Sequence, residues 1–118
     1  MDLRDKFLKE YKKEQRIRVW WIPQVPMKSF YVNVNSLEQA ILIDNTLSRY
    51  DMFQFENNIK PDYTNVGGVE LYVGDRPEFE GEEWTEYFND ELYIGDYHDA
   101  IAMYQEYIIR NIGGEING

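Results

Sequence analysis

Leu3, Phe7, Leu8 and Tyr11 recur at helical spacing, which predicts a short amphipathic helix over residues 2–15. A helix of that length is marginal by itself and must dock on something. The stretch "RIRVWWIPQVPMKSFYVNV" follows, from Arg16 to Val34. Its density of Val, Ile, Phe, Tyr and Trp predicts strands over Arg16–Ile22 and Met27–Val34. Strand alternation puts Ile17, Val19 and Trp21 on one face and Arg16, Arg18 and Trp20 on the other. The first set is apolar and is expected to enter the core. Pro23 and Pro26 bracket a stiff connection expected at a sheet edge, because proline cannot donate to a ladder.

"NSLEQAILIDNTLSRY" opens with Ser36 and Gln39 in capping-box spacing. Leu37, Ala40, Ile41, Ile43, Leu47 and Tyr50 then give an apolar face, predicting a helix from 37 to about 50 that "DMFQFENN" extends by a turn or two. "IKPDYTNVGG" reads as a loop, with Pro61 pushing Lys60 out of the α region and Gly67-Gly68 supplying positive φ. "VELYV" and "EWTEYF" alternate and read as strands, separated by the polar turn "GDRPEFEGEE"; Trp84 is expected beside Glu86 or in the core. In "DYHDAIAMYQEYIIRNIGG", Tyr97, Ile101, Tyr104, Ile108 and Ile112 mark a last helix, with Asp96 as N-cap and Gly113-Gly114 as terminator. The order is α-β-β-α-β-β-α, an α+β fold: a small antiparallel sheet of about four strands with flanking helices. The expected organisation is one domain over 1–118, with the helix at 1–15, an α+β core at 16–112 and a flexible tail at 113–118.

Charge changes this picture by its distribution. The net charge is −10. Residues 1–18 carry seven cations against four acids, while residues 69–99 carry eleven acids against Arg76 alone. Such separation lets one copy's basic arm meet another's acidic face, within a screened reach of roughly 10 Å, and makes a homo-oligomer the expected state. The alternative is an ordinary solvated acidic surface, cluster 78–91 included. Direct DNA binding is not expected without a broader basic footprint. The chain has no cysteine, which fits a reducing cytoplasm. Its charged N-terminus is unlike a signal peptide, and no apolar run reaches membrane-spanning length. A cytoplasmic protein without membrane contact is expected.

Catalytic chemistry finds little support. His98, the one histidine, lies in the first turn of a predicted helix beside Asp96 and Asp99. No G-x-S-x-G, P-loop or Rossmann spacing occurs. Glu82, Glu83 and Asp90 offer oxygen ligands without EF-hand spacing. No catalytic residue, metal or cofactor is assigned, and the expectation is not an enzyme.

Binding chemistry is richer. Arg16, Arg18 and Lys28 share a hairpin with Trp20, and an aromatic plane flanked by guanidinium groups can stack a base and hold phosphate. The competing explanation is a surface cation–π pair. "FENNIKPDYTNVGG" crowds Asn58, Lys60, Tyr63 and Asn65 onto a loop stiffened by Pro61, suited to recognition or simply to turn chemistry. The candidate ligand-binding set is therefore Arg16, Arg18, Trp20, Lys28, Asn58, Lys60, Tyr63 and Asn65.

"RVWWIPQVPMKSFYV" followed by "LSRYDMFQFENNIKPDYTNVGGVELY" resembles a family of small acidic tailed-bacteriophage proteins labelled uncharacterised or superinfection exclusion. The resemblance covers roughly residues 16–73 and leaves out both terminal helices. It implies a phage accessory protein in the infected bacterial cell and carries over no catalytic residue. Two partner classes follow. One is a nucleotide-like ligand, a cyclic nucleotide or cyclic ADP-ribose-type signal, sequestered to counter host defence. The other is a host nucleic-acid-binding or defence protein blocked by direct contact, or superinfection exclusion.

Overall fold

Ile17–Ile22 forms strand β1 and alternates as the sequence predicts, with Ile17, Val19 and Trp21 buried. The computed structural model describes residues 2–58 and 65–110. Within them helix α1 spans Leu3–Lys12, β2 Phe30–Val34, α2 Leu37–Glu56, β3 Val66–Tyr72, β4 Trp84–Glu86 and α3 Tyr97–Tyr104. The four strands make one antiparallel sheet in the order β2-β1-β3-β4. The α+β class and element order are those the sequence predicts.

The helices cover one face of the sheet. Phe7 and Tyr11 of α1, Leu37, Ala40 and Ile41 of α2, and Tyr97 and Ala100 of α3 join Ile17, Val19, Val69 and Leu71 in a single core. The amphipathic N-terminal helix thus docks on its own chain. Ser36 caps α2 by accepting from the Gln39 amide, and the Gln39 side chain accepts in return from the Asn35 amide, a capping box shifted by one residue at its second bond. Asp96 caps α3 through the Asp99 amide.

Two carboxylates sit inside this core side. Glu10 is buried and accepts from the Tyr87 hydroxyl and from the Gln15 amide group. Burial, followed by the Glu10 charge, pushes the Tyr87 phenol upward from its ordinary value. Asp51 is 3 % exposed and accepts at one oxygen from Trp21 Nε1 and Asn65 Nδ2, both at 2.9 Å.

Several boundaries differ from expectation. The first helix is shorter than 2–15, ending at Lys12, whose neighbour Lys13 turns into extended backbone. Residues 27–29 stay outside the second strand, after a cis Val25–Pro26 peptide. The larger correction concerns Gly67 and Gly68. Neither has positive φ; both lie inside β3. Their role is space. A Cβ on Gly67 would stand 2.1 Å from Trp21 Cε3, and one on Gly68 2.7 Å from Trp20 Nε1. A tandem Gly pair faces a tandem Trp pair, Trp20 opposite Gly68 and Trp21 opposite Gly67, so each indole lies over a residue without a side chain, on opposite faces. A π turn at Gln105–Ile109 follows α3; Gly113-Gly114 and the tail lie outside the described residues.

Candidate functional site: an arginine–aromatic sheet face

Among the described residues no helix covers the second face of the sheet. Alternation delivers to it Arg16, Arg18 and Trp20 from β1 and the residue before it, Tyr31 and Asn33 from β2, Glu70 and Tyr72 from β3, and Trp84 and Glu86 from β4. Cross-strand register then decides which side chains meet. Tyr72 is opposite Trp84, Glu70 opposite Glu86 and opposite Arg18, and Trp20 opposite Tyr31. Trp84 lies beside Glu86 on this face, one of the two positions expected for it.

Arg18 is the centre of the arrangement. Its Nε donates to Glu70 Oε1 at 2.8 Å, and both side chains are largely shielded. The guanidinium carbon lies 4.0 Å from the Tyr31 ring centre and 4.1 Å from that of Trp84. Arg16 lies 3.7 Å over the Tyr72 ring and 5.7 Å from Trp84. Tyr72 and Trp84 meet edge to face at 5.3 Å and 71°. Each cation–π contact is worth about 0.5–1 kcal/mol when exposed and about 2 when desolvated. Together they hold two guanidinium planes fixed against three rings. Alongside, Arg16 and Trp84 share a cavity of about 410 Å³ with Glu14, Gln15, Asn33 and Asn35.

The predicted site residues do not all gather here. Arg16, Arg18 and Trp20 share the open face. The two arginines, however, stack on Tyr31, Tyr72 and Trp84 instead of on Trp20, whose indole covers Gly68. Lys28 is exposed in the β1–β2 connection. Asn65 turns to the opposite side, where Asp51 takes its amide. Asn58 follows the C-terminus of α2 with φ of 62°. Lys60 and Tyr63 lie outside the described residues. Convergence of the hairpin set with Asn65 is therefore corrected: the sheet stands between them. Tyr31, Tyr72, Trp84 and Glu70 complete the face, and the period-two pattern of "VELYV" and "EWTEYF" was the signal for the last three.

Among the described residues no helix is long and apolar enough to cross a membrane, and none of their His, Asp and Glu side chains form a group of three suited to a metal.

This geometry defines a class: an α+β protein whose antiparallel sheet is helix-covered on one side and presents fixed arginines and aromatic rings on the other. A family model described as superinfection exclusion gene product 17 matches residues 16–107, and the chain belongs to that family. The superinfection exclusion protein of Salmonella phage P22 is 51% identical over 57 residues, covering 48% of this chain and 55% of the relative. The chain spans about half the length of that curated relative. No solved structure matches. The match reaches past residue 73 to include α3, consistent with Tyr97 and Ala100 sitting in the core; α1 falls outside it.

Proposed function

We propose that this chain is a phage superinfection exclusion protein that works without catalysis, by contact through the open sheet face. The observation that carries the reading is the family match over residues 16–107, which spans every strand contributing to that face. A partly exposed surface of Tyr, Trp and Arg side chains packed on one another has the composition of interaction hot spots. Preorganisation lowers the ordering cost that association incurs.

The test is plating of a second phage on bacteria expressing the chain. Wild type reduces plating efficiency. Arg18→Lys, which keeps the charge and loses the planar stack, and Trp84→Leu restore it while the protein stays folded by circular dichroism. Exclusion undiminished in both variants would overturn the assignment of the face.

A second reading, sequestration of a nucleotide-derived signal, draws on the cavity beside Arg16 and Trp84. It stands behind the first because Arg18 is engaged by Glu70 and Asn65 faces away. Calorimetry against cyclic nucleotides separates the two: saturable heat favours sequestration, and its absence with intact exclusion favours contact.

A further inference from the structure

We propose that the junction of α1 with β1 binds a phosphoryl group, held by Lys13, Arg16 and Arg76. These cations come from three separate parts of the chain: the residue capping the end of α1, the residue just before β1, and the turn after β3. They line one cavity of about 260 Å³ together with Gln15, Leu71, Tyr72 and Asp75. Three cations against the Asp75 carboxylate leave a local charge of 3 − 1 = +2, in a protein whose net charge is −10.

Carboxylates engage three of the other cations: Lys12 is bound to Glu38, Arg18 to Glu70 and Arg110 to Glu106. Among the described residues Arg4, Lys6, Lys9, Lys28 and Arg49 are as free of ion pairs as Lys13, Arg16 and Arg76, and what sets the last three apart is that they line one cavity. Arg76 is also the single cation between residues 69 and 99, amid eleven acids, yet the fold brings it to the basic end of the molecule instead of pairing it locally. Its turn is fixed by the Arg76 amide donating to the Val73 carbonyl at 2.9 Å. Arg16 is fixed by its stack on Tyr72.

The chemistry selects the ligand class. Guanidinium forks match phosphoryl oxygens bidentately, and an ammonium adds a point charge. The end of α1 at this site is its C-terminus, whose dipole disfavours an anion, so the side chains alone must supply the attraction. Lys13 also borders a second cavity of about 540 Å³, lined by Lys6 and Lys9 with Glu10, Glu91 and Leu92. The source can be a soluble phosphate or a lipid headgroup, which share this chemistry.

The experiment is an NMR titration of the full chain with inorganic pyrophosphate, against sodium chloride at matched ionic strength. Saturable shifts on the Nε–H signals of Arg16 and Arg76, absent with chloride, are expected. Arg76→Gln and Lys13→Gln should each weaken binding by about tenfold, and Arg49→Gln, on the exposed side of α2, should not. Flotation with phosphatidylglycerol and phosphatidylcholine vesicles separates the sources. Capture by the anionic vesicles alone, lost in Arg76→Gln, identifies a headgroup; pyrophosphate binding without capture identifies a soluble phosphate. Shifts equal to those from chloride, or undiminished affinity in both Gln variants, would overturn the site. Should either variant misfold, a melting temperature of the wild type that pyrophosphate raises no more than chloride does overturns it equally.

Discussion

Asp51 holds the Trp21 indole by accepting its Nε1–H at 2.9 Å, and the same oxygen takes the Asn65 amide at the same distance. One buried carboxylate on α2 therefore ties together β1 and the residue leading into β3. Asp51→Ala leaves both donors without this partner in a buried setting and should destabilise the fold by about 2–4 kcal/mol. Asp51→Asn retains an acceptor and should cost less. Urea unfolding followed by tryptophan fluorescence checks the order; equal losses would show that the carbonyl oxygen of the amide cannot replace the carboxylate.

Gly67 and Gly68 respond unequally to the same added methyl group. Gly67→Ala presses on Trp21, which is buried and hydrogen-bonded, and overpacking of this kind costs about 1–3 kcal/mol. Gly68→Ala meets Trp20 on the open face, where the half-exposed indole can swing aside. Thermal melts should rank Gly67→Ala below Gly68→Ala, with the second variant also shifting the Trp20 emission.

Arg18 and Tyr31 should couple by about 0.5–1 kcal/mol in a double-mutant cycle of Arg18→Gln and Tyr31→Leu. Arg18 and Asn33, opposite each other in the ladder, serve as the comparison pair. Coupling as strong with Asn33 as with Tyr31 would mean that cross-strand adjacency, and not the ring, holds the guanidinium.

Alkali should unfold the protein through its buried phenols. Burial, reinforced by Tyr104 and Glu38, pushes Tyr11 up to about 12. Burial followed by the neighbouring carboxylates Glu10 and Asp44 raises Tyr87 and Tyr97 as well. A phenol raised in the fold keeps its proton where the unfolded chain has lost it. Its stabilising contribution is complete below the ordinary value near 10 and declines as pH rises through the folded one. Denaturant midpoints should therefore fall between about pH 10 and 12, and tyrosinate absorbance should show these phenols ionising together with loss of structure.

Phe7 lies fully buried on a helix that the family match does not include. Phe7→Ala should cost about 3–5 kcal/mol, the range for emptying a core aromatic site. A loss under about 1 kcal/mol would mean that α1 contributes little to the core it covers.

The sequence was legible where structure is local. Alternation in "RVWWI" assigned Trp20 and Trp21 to opposite faces, and Ser36 and Asp96 announced the helix starts. What it concealed depends on partners far along the chain. Gly67-Gly68 has the composition of a turn, and only Trp20 and Trp21, more than forty residues earlier, explain it as strand. Asn65 sits in a loop-like polar run, but a carboxylate on α2 decides its direction. Tyr31, Tyr72 and Trp84 became arginine partners only once the register of four strands was fixed.

The matched pairs, two bulky rings against two bare backbone positions, behave as a lock and its wards. Sliding β3 by two steps keeps its faces but drives Val66 or Glu70 under the indole of Trp20, so a single alignment seats both rings. Sheet alignment is consequently set from within the strands.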